Sequence, residues 1–164
     1  MYNKTICHCG LNKPYNECCE LFILHHKLPE TAEQLMRSRF TAYKLKFFEY
    51  LIATHLPKNE TPVDNISDFQ SNIEWLGLNV LHSSNCAGNE DLASVEFVAF
   101  FSNTSSDPQF TSRRYQQLHE KSDFRKVDGR WLYLSGKALK PVKLSRNQLC
   151  FCNSGKKLKK CHAD

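Results

Sequence analysis

Between residues 31 and 57 the apolar positions recur every three or four residues, with Leu35, Met36, Phe40, Tyr43 and Phe47 on one stripe. That period predicts a helix beginning near residue 31, and Thr31 with Gln34 supplies a capping box just after Pro29. The stripe bends near Leu45 to Phe47, continues through Tyr50, Leu51 and Ile52, and stops at Pro57. A second, shorter helix is predicted across Ile66 to Trp75, capped by Asn65 or Ser67. From Gly77 onward the period shortens to two. The segments LNVLHSS (78–84), ASVEFVAFF (93–101), TSRRYQQLHEKSDFRKV (111–127) and RWLYL (130–134) read as strands, with turns at Asn89 to Asp91 and at Asp128-Gly129. Helices first and antiparallel strands afterwards predict an α+β domain with its helices on one sheet face.

The same alternation sorts the polar residues of the third strand. Glu120 shares a face with Leu118, Ser122 and Phe124, while His119 lies with Tyr115, Gln117 and Lys121, so Glu120 is the inward candidate. An isolated buried carboxylate is costly and calls for a cation. Arg39 lies on the helix stripe with Met36, Phe40 and Tyr43, whereas Arg37 points away from most of it, which predicts an inward Arg39–Glu120 ion pair. A structural pair is favoured over a catalytic carboxylate, and no residue is assigned to catalysis. Arg39, Tyr43, Trp75, His119 and Glu120 are the candidates for a pocket or its supports. Cys86, outside any cluster, is expected to pack as a small core residue.

Composition suits one ordinary core: 164 residues, 41% of them apolar. No run approaches the ~18 to 20 apolar residues that span a bilayer, and MYNKTICHC lacks a secretory apolar region, so a reducing cytoplasm is the expected compartment. The net charge of +5 is unevenly spread. Residues 29–145 are balanced, whereas Arg146, Lys156, Lys157, Lys159 and Lys160 face only Asp164 in the last segment.

Cysteine spacing changes the picture most. CHCGLNKPYNECC (7–19) and CFCNSGKKLKKCH (150–162) superpose without a gap, both reading C-x-C-x8-C-[C/H]. Cys7, Cys9, Cys18 and Cys19, and again Cys150, Cys152, Cys161 and His162, offer four soft ligands each, the complement of a closed tetrahedral zinc site. Vicinal and i, i+2 cysteines make poor disulfides, and a reducing compartment disfavours them. Two zinc ions are therefore implied, with iron an equally acceptable occupant of such thiolate sites. Segments of this size bury too little apolar surface to fold alone, so the metal would supply their folding free energy.

The C-terminal copy resembles the SEC-C motif, the zinc-binding tail of the bacterial translocation ATPase SecA. LMRSRFTAY (35–43), WLGL (75–78), VEFVAFF (95–101) and HEKSDF (119–124) look like the bacterial YchJ family. The resemblance implies a cone-shaped domain similar to nuclear transport factor 2 over residues 29–145, flanked by zinc knuckles at 1–28 and 146–164. It also implies docking on proteins of the secretion or protein-biogenesis machinery. The exposed-charge pattern adds the ribosome as an acidic target for Lys156, Lys157, Lys159 and Lys160. A small-molecule enzyme or carrier using the cone pocket is the competing class. Sequence-specific nucleic-acid recognition is not expected, because the neutral domain lacks a basic stripe interleaved with aromatics.

Overall fold

The computed structural model describes residues 5–56, 72–86, 88–103 and 115–162. The main helix, α2 (Ala32–Leu45), opens at the predicted cap: Thr31 Oγ1 accepts the Gln34 amide at 3.1 Å. The return bond differs from a standard box, because Gln34 Oε1 accepts the amide of Glu30 at 2.7 Å, one residue before the cap. Lys46, at φ 64°, ends α2 in the left-handed region, and α3 (Phe48–Ala53) takes up the stripe again. The bend is thus a full break between two helices. A five-residue helix, α1 (Cys19–Ile23), precedes them and begins on a cysteine of the first cluster.

Four strands follow in sequence order: β1 (Ile73–Cys86), β2 (Asn89–Asn103), β3 (Gln116–Val127) and β4 (Arg130–Ala138), all antiparallel. Two expectations are corrected here. Ile73, Glu74 and Trp75 are not helical but pair with Asn103, Ser102 and Phe101, and Ile66 to residue 71 lie outside the described residues. The apolar–polar–apolar order of these three residues also fits a two-residue period, which a short window cannot separate from a helical one. Asn89 to Asp91 already belong to β2, with Cys86 opposite Asn89, and the described turn residue is Gly88, ahead of the predicted turn. Asn89 makes the local side-chain bond that signalled a turn, accepting the Asp91 amide at 2.9 Å, but does so inside the strand. The Cys86 side chain lies outside the described residues. Asp128 and Gly129 form the predicted tight hairpin, with φ 49° and 77°.

Strand β2 has no solvent face over most of its length. Ala93, Val95, Phe97 and Ala99 join the main core with Leu35, Met36, Phe40 and Leu51 from the helices, while Val98 and Phe100 form a second core with Cys150, Phe151 and Leu158. The helices cover one sheet face, and the C-terminal cysteine segment lies on the other. Trp131 Nε1 donates to the Glu30 carbonyl at 3.1 Å and ties the start of α2 to β4. Register shifts after Trp75 and Val80 mark irregularities in β1, of the kind that bend a strand. No helix among the described residues is long and apolar enough to cross a membrane.

Both cysteine segments close on β1 at adjacent residues. A β-carbon on Gly77 would stand 2.1 Å from the Phe151 carbonyl oxygen, and one on Gly10 would stand 2.8 Å from the Leu78 carbonyl oxygen. Because the obstacle at Gly77 is backbone, Gly77→Ala is expected to cost about 1–3 kcal/mol. It should displace the C-terminal segment while the helices and sheet persist. Urea unfolding together with amide exchange across 146–162 checks this: wild-type protection of that segment in the variant would contradict the close approach.

Candidate metal centres and the inner polar cluster

The repeat in sequence is a repeat in backbone. Cys7 N donates to Lys13 O at 2.8 Å, and Cys150 N to Lys156 O at 2.8 Å. Ile6 bridges Pro14 as Leu149 bridges Lys157. Left-handed residues fall at matching places, Gly10 and Asn12 in one copy and Asn153 and Gly155 in the other. Single turns of 3-10 helix, Tyr15–Glu17 and Leu158–Lys160, then deliver the second ligand pair, with Cys18 N on Tyr15 O and Cys161 N on Leu158 O, both at 3.0 Å.

Each loop therefore gathers four donors. The ligand atoms of Cys7, Cys9, Cys18 and Cys19 lie within 4.8 Å of one another, as do those of Cys150, Cys152, Cys161 and His162. Cys9 and Cys18 sulfurs stand 3.5 Å apart, Cys152 and Cys161 sulfurs 3.5 Å apart, and Cys150 Sγ lies 3.1 Å from His162 Nδ1. Tetrahedral thiolates around one ion at ~2.3 Å would stand roughly 3.8 Å apart, so the donor sets fit with little adjustment. The electrostatics agree. Hydrogen bonds from Cys19 and Cys9 hold the Cys7 thiol far below its ordinary value. Cys19 helps Cys9 too, but the bond to Cys7, burial and the Cys7 charge push Cys9 up to about 12. Burial, first, pushes Cys150 up to about 12. Thiols this close favour one thiolate among them, and a divalent cation is what allows all of them to ionise.

The two sites are set differently. The N-terminal sulfurs are part of the main core beside Ile23 and Leu35. Helix α2 steadies that loop: Arg37 Nη1 donates to Cys9 O at 2.6 Å while its Nε donates to Glu33 at 2.8 Å, and Thr41 Oγ1 lies 3.8 Å from Cys7 Sγ. The C-terminal loop is held on the outer sheet face by Phe151, stacked on Phe100 at 4.0 Å between centroids and 4° between planes, and by buried Leu158. Lys156, Lys157, Lys159 and Lys160 are all exposed.

Under α2, the predicted Arg39–Glu120 ion pair is not formed. Arg39 is buried, as its stripe position required, but its Nη1 donates to Leu51 O at 2.8 Å and to Thr54 Oγ1 at 2.7 Å. Glu120 faces inward and accepts from Ser122 Oγ at 2.6 Å and Tyr133 Oη at 3.4 Å. Tyr133 stands between the two, with the Arg39 guanidinium 4.9 Å from its ring centroid. Burial lowers the Arg39 pKa, and the surrounding Tyr43, Tyr133 and Tyr50 oppose that loss. A face assignment fixes which side a residue occupies but not which neighbour intervenes. Tyr43 and Trp75 meet at 6.0 Å, Trp75 packing also on Phe40 and Phe101. His119 lies on the opposite face from Glu120, across from Val98.

A family description, YchJ middle NTF2-like domain, matches residues 31–136. The chain belongs to the YchJ family. Its middle domain is NTF2-like, and the SEC-C motif matches residues 146–164. This YchJ-family protein is 40% identical over 159 residues to a UPF0225 protein of Serratia proteamaculans, covering 95% of this chain and 96% of that one. It is 35% identical over 164 residues to a UPF0225 protein of Geobacter sulfurreducens, covering 96% and 97%. Among solved structures, a SEC-C motif containing protein from Rhodopseudomonas palustris matches with TM-score 0.70 and 33% identity over 83% of this chain and all of that one (100%). A second SEC-C motif containing protein, from Psychrobacter arcticus, matches with TM-score 0.64 and 28% identity over 96% and 94%.

Sequence reasoning about this YchJ-family protein missed the strap that leads to the C-terminal loop. Gln117 forms a pair of bonds with the Val142 backbone, at 3.2 and 3.1 Å. His119 Nδ1 lies 2.6 Å from Lys140 O and its Nε2 lies 2.9 Å from Glu96 Oε1. With Glu96 ionised neither acceptor has a proton to give, so the protonated imidazole is the form that satisfies both contacts. The placement of Gln117 and His119 on one strand face was the available signal, but no pattern says which distant backbone they meet.

Two outcomes follow from this chemistry. With Tyr133 between them, Arg39 and Glu120 should couple by less than about 1 kcal/mol in a double-mutant cycle measured by urea unfolding. Arg39→Met alone should cost about 1–3 kcal/mol, because buried acceptors lose their donor; a coupling of several kcal/mol would restore the direct ion pair. Burial opposes the His119 charge, but the Lys140 carbonyl and Glu96 outweigh it and hold the imidazole above its ordinary value. Its contribution is therefore complete below the unfolded value near ~6.5 and lost as pH rises through the higher folded value. Strap protection in amide exchange should fall over that window, and His119→Gln should flatten the fall.

Proposed function

We propose that this protein is a zinc-stapled binding protein: an NTF2-like body over 29–145, two metal knuckles at 1–28 and 146–164, and a C-terminal lysine face that docks on an acidic macromolecule of protein biogenesis or secretion, either a protein or the ribosome. One observation carries the reading. The C-terminal loop turns Phe151 and Leu158 inward onto the sheet and leaves Lys156, Lys157, Lys159 and Lys160 in solvent. Anchored apolar residues beneath a rigid cationic surface suit recognition, since the charges are positioned before the partner arrives. Zinc is favoured by the all-thiolate and thiolate–imidazole donor sets, which leave no open coordination position for chemistry. Cys7, Cys9, Cys18 and Cys19 would hold one ion and Cys150, Cys152, Cys161 and His162 the other.

A second reading has its own support. Arg39, buried with no carboxylate partner among the described residues, and the inward Glu120–Tyr133 contact place charge and polarity beneath α2, where a small-molecule carrier or enzyme would use it. Neutralising the four lysines separates the two readings. Capture of protein or ribosomes from a bacterial lysate should be abolished, with melting temperature and metal content nearly unchanged, because exposed lysines contribute little to stability. Truncation after Asn147 should abolish capture as well. A truncated chain that still captures its partner would leave the knuckle a stabilising clasp and favour the inner cluster.

A further inference from the structure

We propose that Cys152 and Cys161 are an oxidative modification site, at which hydrogen peroxide forms a disulfide and discharges the C-terminal metal, while the equivalent pair Cys9 and Cys18 stays reduced. The inference rests on the metal-stapled reading above. The two loops provide their own control: the sulfurs are 3.5 Å apart in each pair, and the backbone around them is the same. Burial is what differs. Cys9 and Cys18 are 0% and 8% exposed and sit among core side chains, whereas Cys152 and Cys161 are half-buried at the surface. Reactivity of a thiolate follows its access to the oxidant, so peroxide reaches one pair and not the other. Cys150, 4% exposed, is shielded, and its i, i+2 relation to Cys152 makes that pair a poor disulfide.

The chemistry balances. One thiolate attacks a peroxide oxygen, the O–O bond breaks, and hydroxide leaves a sulfenic acid. The second thiolate attacks that sulfur and expels a second hydroxide as the S–S bond forms. Two sulfurs lose two electrons, and peroxide gains them to end, after protonation, as two waters. Cys150 and His162 are then the remaining ligands, too few for a tetrahedral site, and the lysine face loses the fold that presents it.

The full-length, metal-loaded chain is treated with graded hydrogen peroxide while a metallochromic indicator reads release and alkylation with peptide mass mapping reads each cysteine. Half of the bound metal should appear in step with a Cys152–Cys161 disulfide, with Cys7, Cys9, Cys18 and Cys19 alkylated only after unfolding. A Cys161→Ser chain that keeps its N-terminal metal should release none of it under the same peroxide. Loss of both metals at one rate, a first disulfide at Cys9–Cys18, or release without the Cys152–Cys161 bond overturns the inference. A chain isolated with no metal in either loop overturns the metal-stapled reading instead.

Discussion

Strand β2 is buried on both faces, and the rest of the structure answers to that constraint. Val95, Phe97 and Ala99 are covered by α2 and α3, but Val98 and Phe100 on the reverse side need a cover of their own. The C-terminal loop supplies it with Phe151 and Leu158. A loop this small has no core of its own, so sheet and loop depend on each other: the sheet offers the apolar platform, and the loop's turns present Phe151 and Leu158 to it. Gly77 marks the contact, since only a residue without a side chain lets the Phe151 backbone come so near.

One backbone motif has been set to two uses by its surroundings. The N-terminal loop runs directly into α1 and leans on α2 through Arg37 and Thr41, so its sulfurs become core atoms. Its relative lies on the outside of the sheet, with Cys150 buried, Cys152, Cys161 and His162 half-covered, and its lysines in water. The ligand spacing is identical, so the difference lies in what packs against the loops.

Beneath α2, a buried guanidinium is kept by dipoles and a π-face in place of a carboxylate. Arg39 is neutralised by no direct partner charge among the described residues; Leu51 O, Thr54 Oγ1 and the Tyr133 ring share the work. Such an arrangement satisfies the donors individually while leaving the charge to be balanced over a distance.

Local pattern alone determined the helix start at Thr31, a change of direction near Lys46, the run of antiparallel strands after the helices, the Asp128-Gly129 turn, the inward side of Arg39 and Glu120, and the membership of both four-donor clusters. These follow from periodicity, capping and spacing, which are properties of neighbouring residues. Tertiary structure decided the rest. Tyr133 rather than Glu120 meets Arg39, because a third element, β4, chooses what fills the space between α2 and β3. Ile73 to Trp75 became strand because Phe101 to Asn103 pair with them. Which cysteine loop is core and which is surface is invisible in two segments of the same spacing, since burial is conferred by residues far along the chain: Arg37 and Thr41 for one loop, Gly77, Val98 and Phe100 for the other.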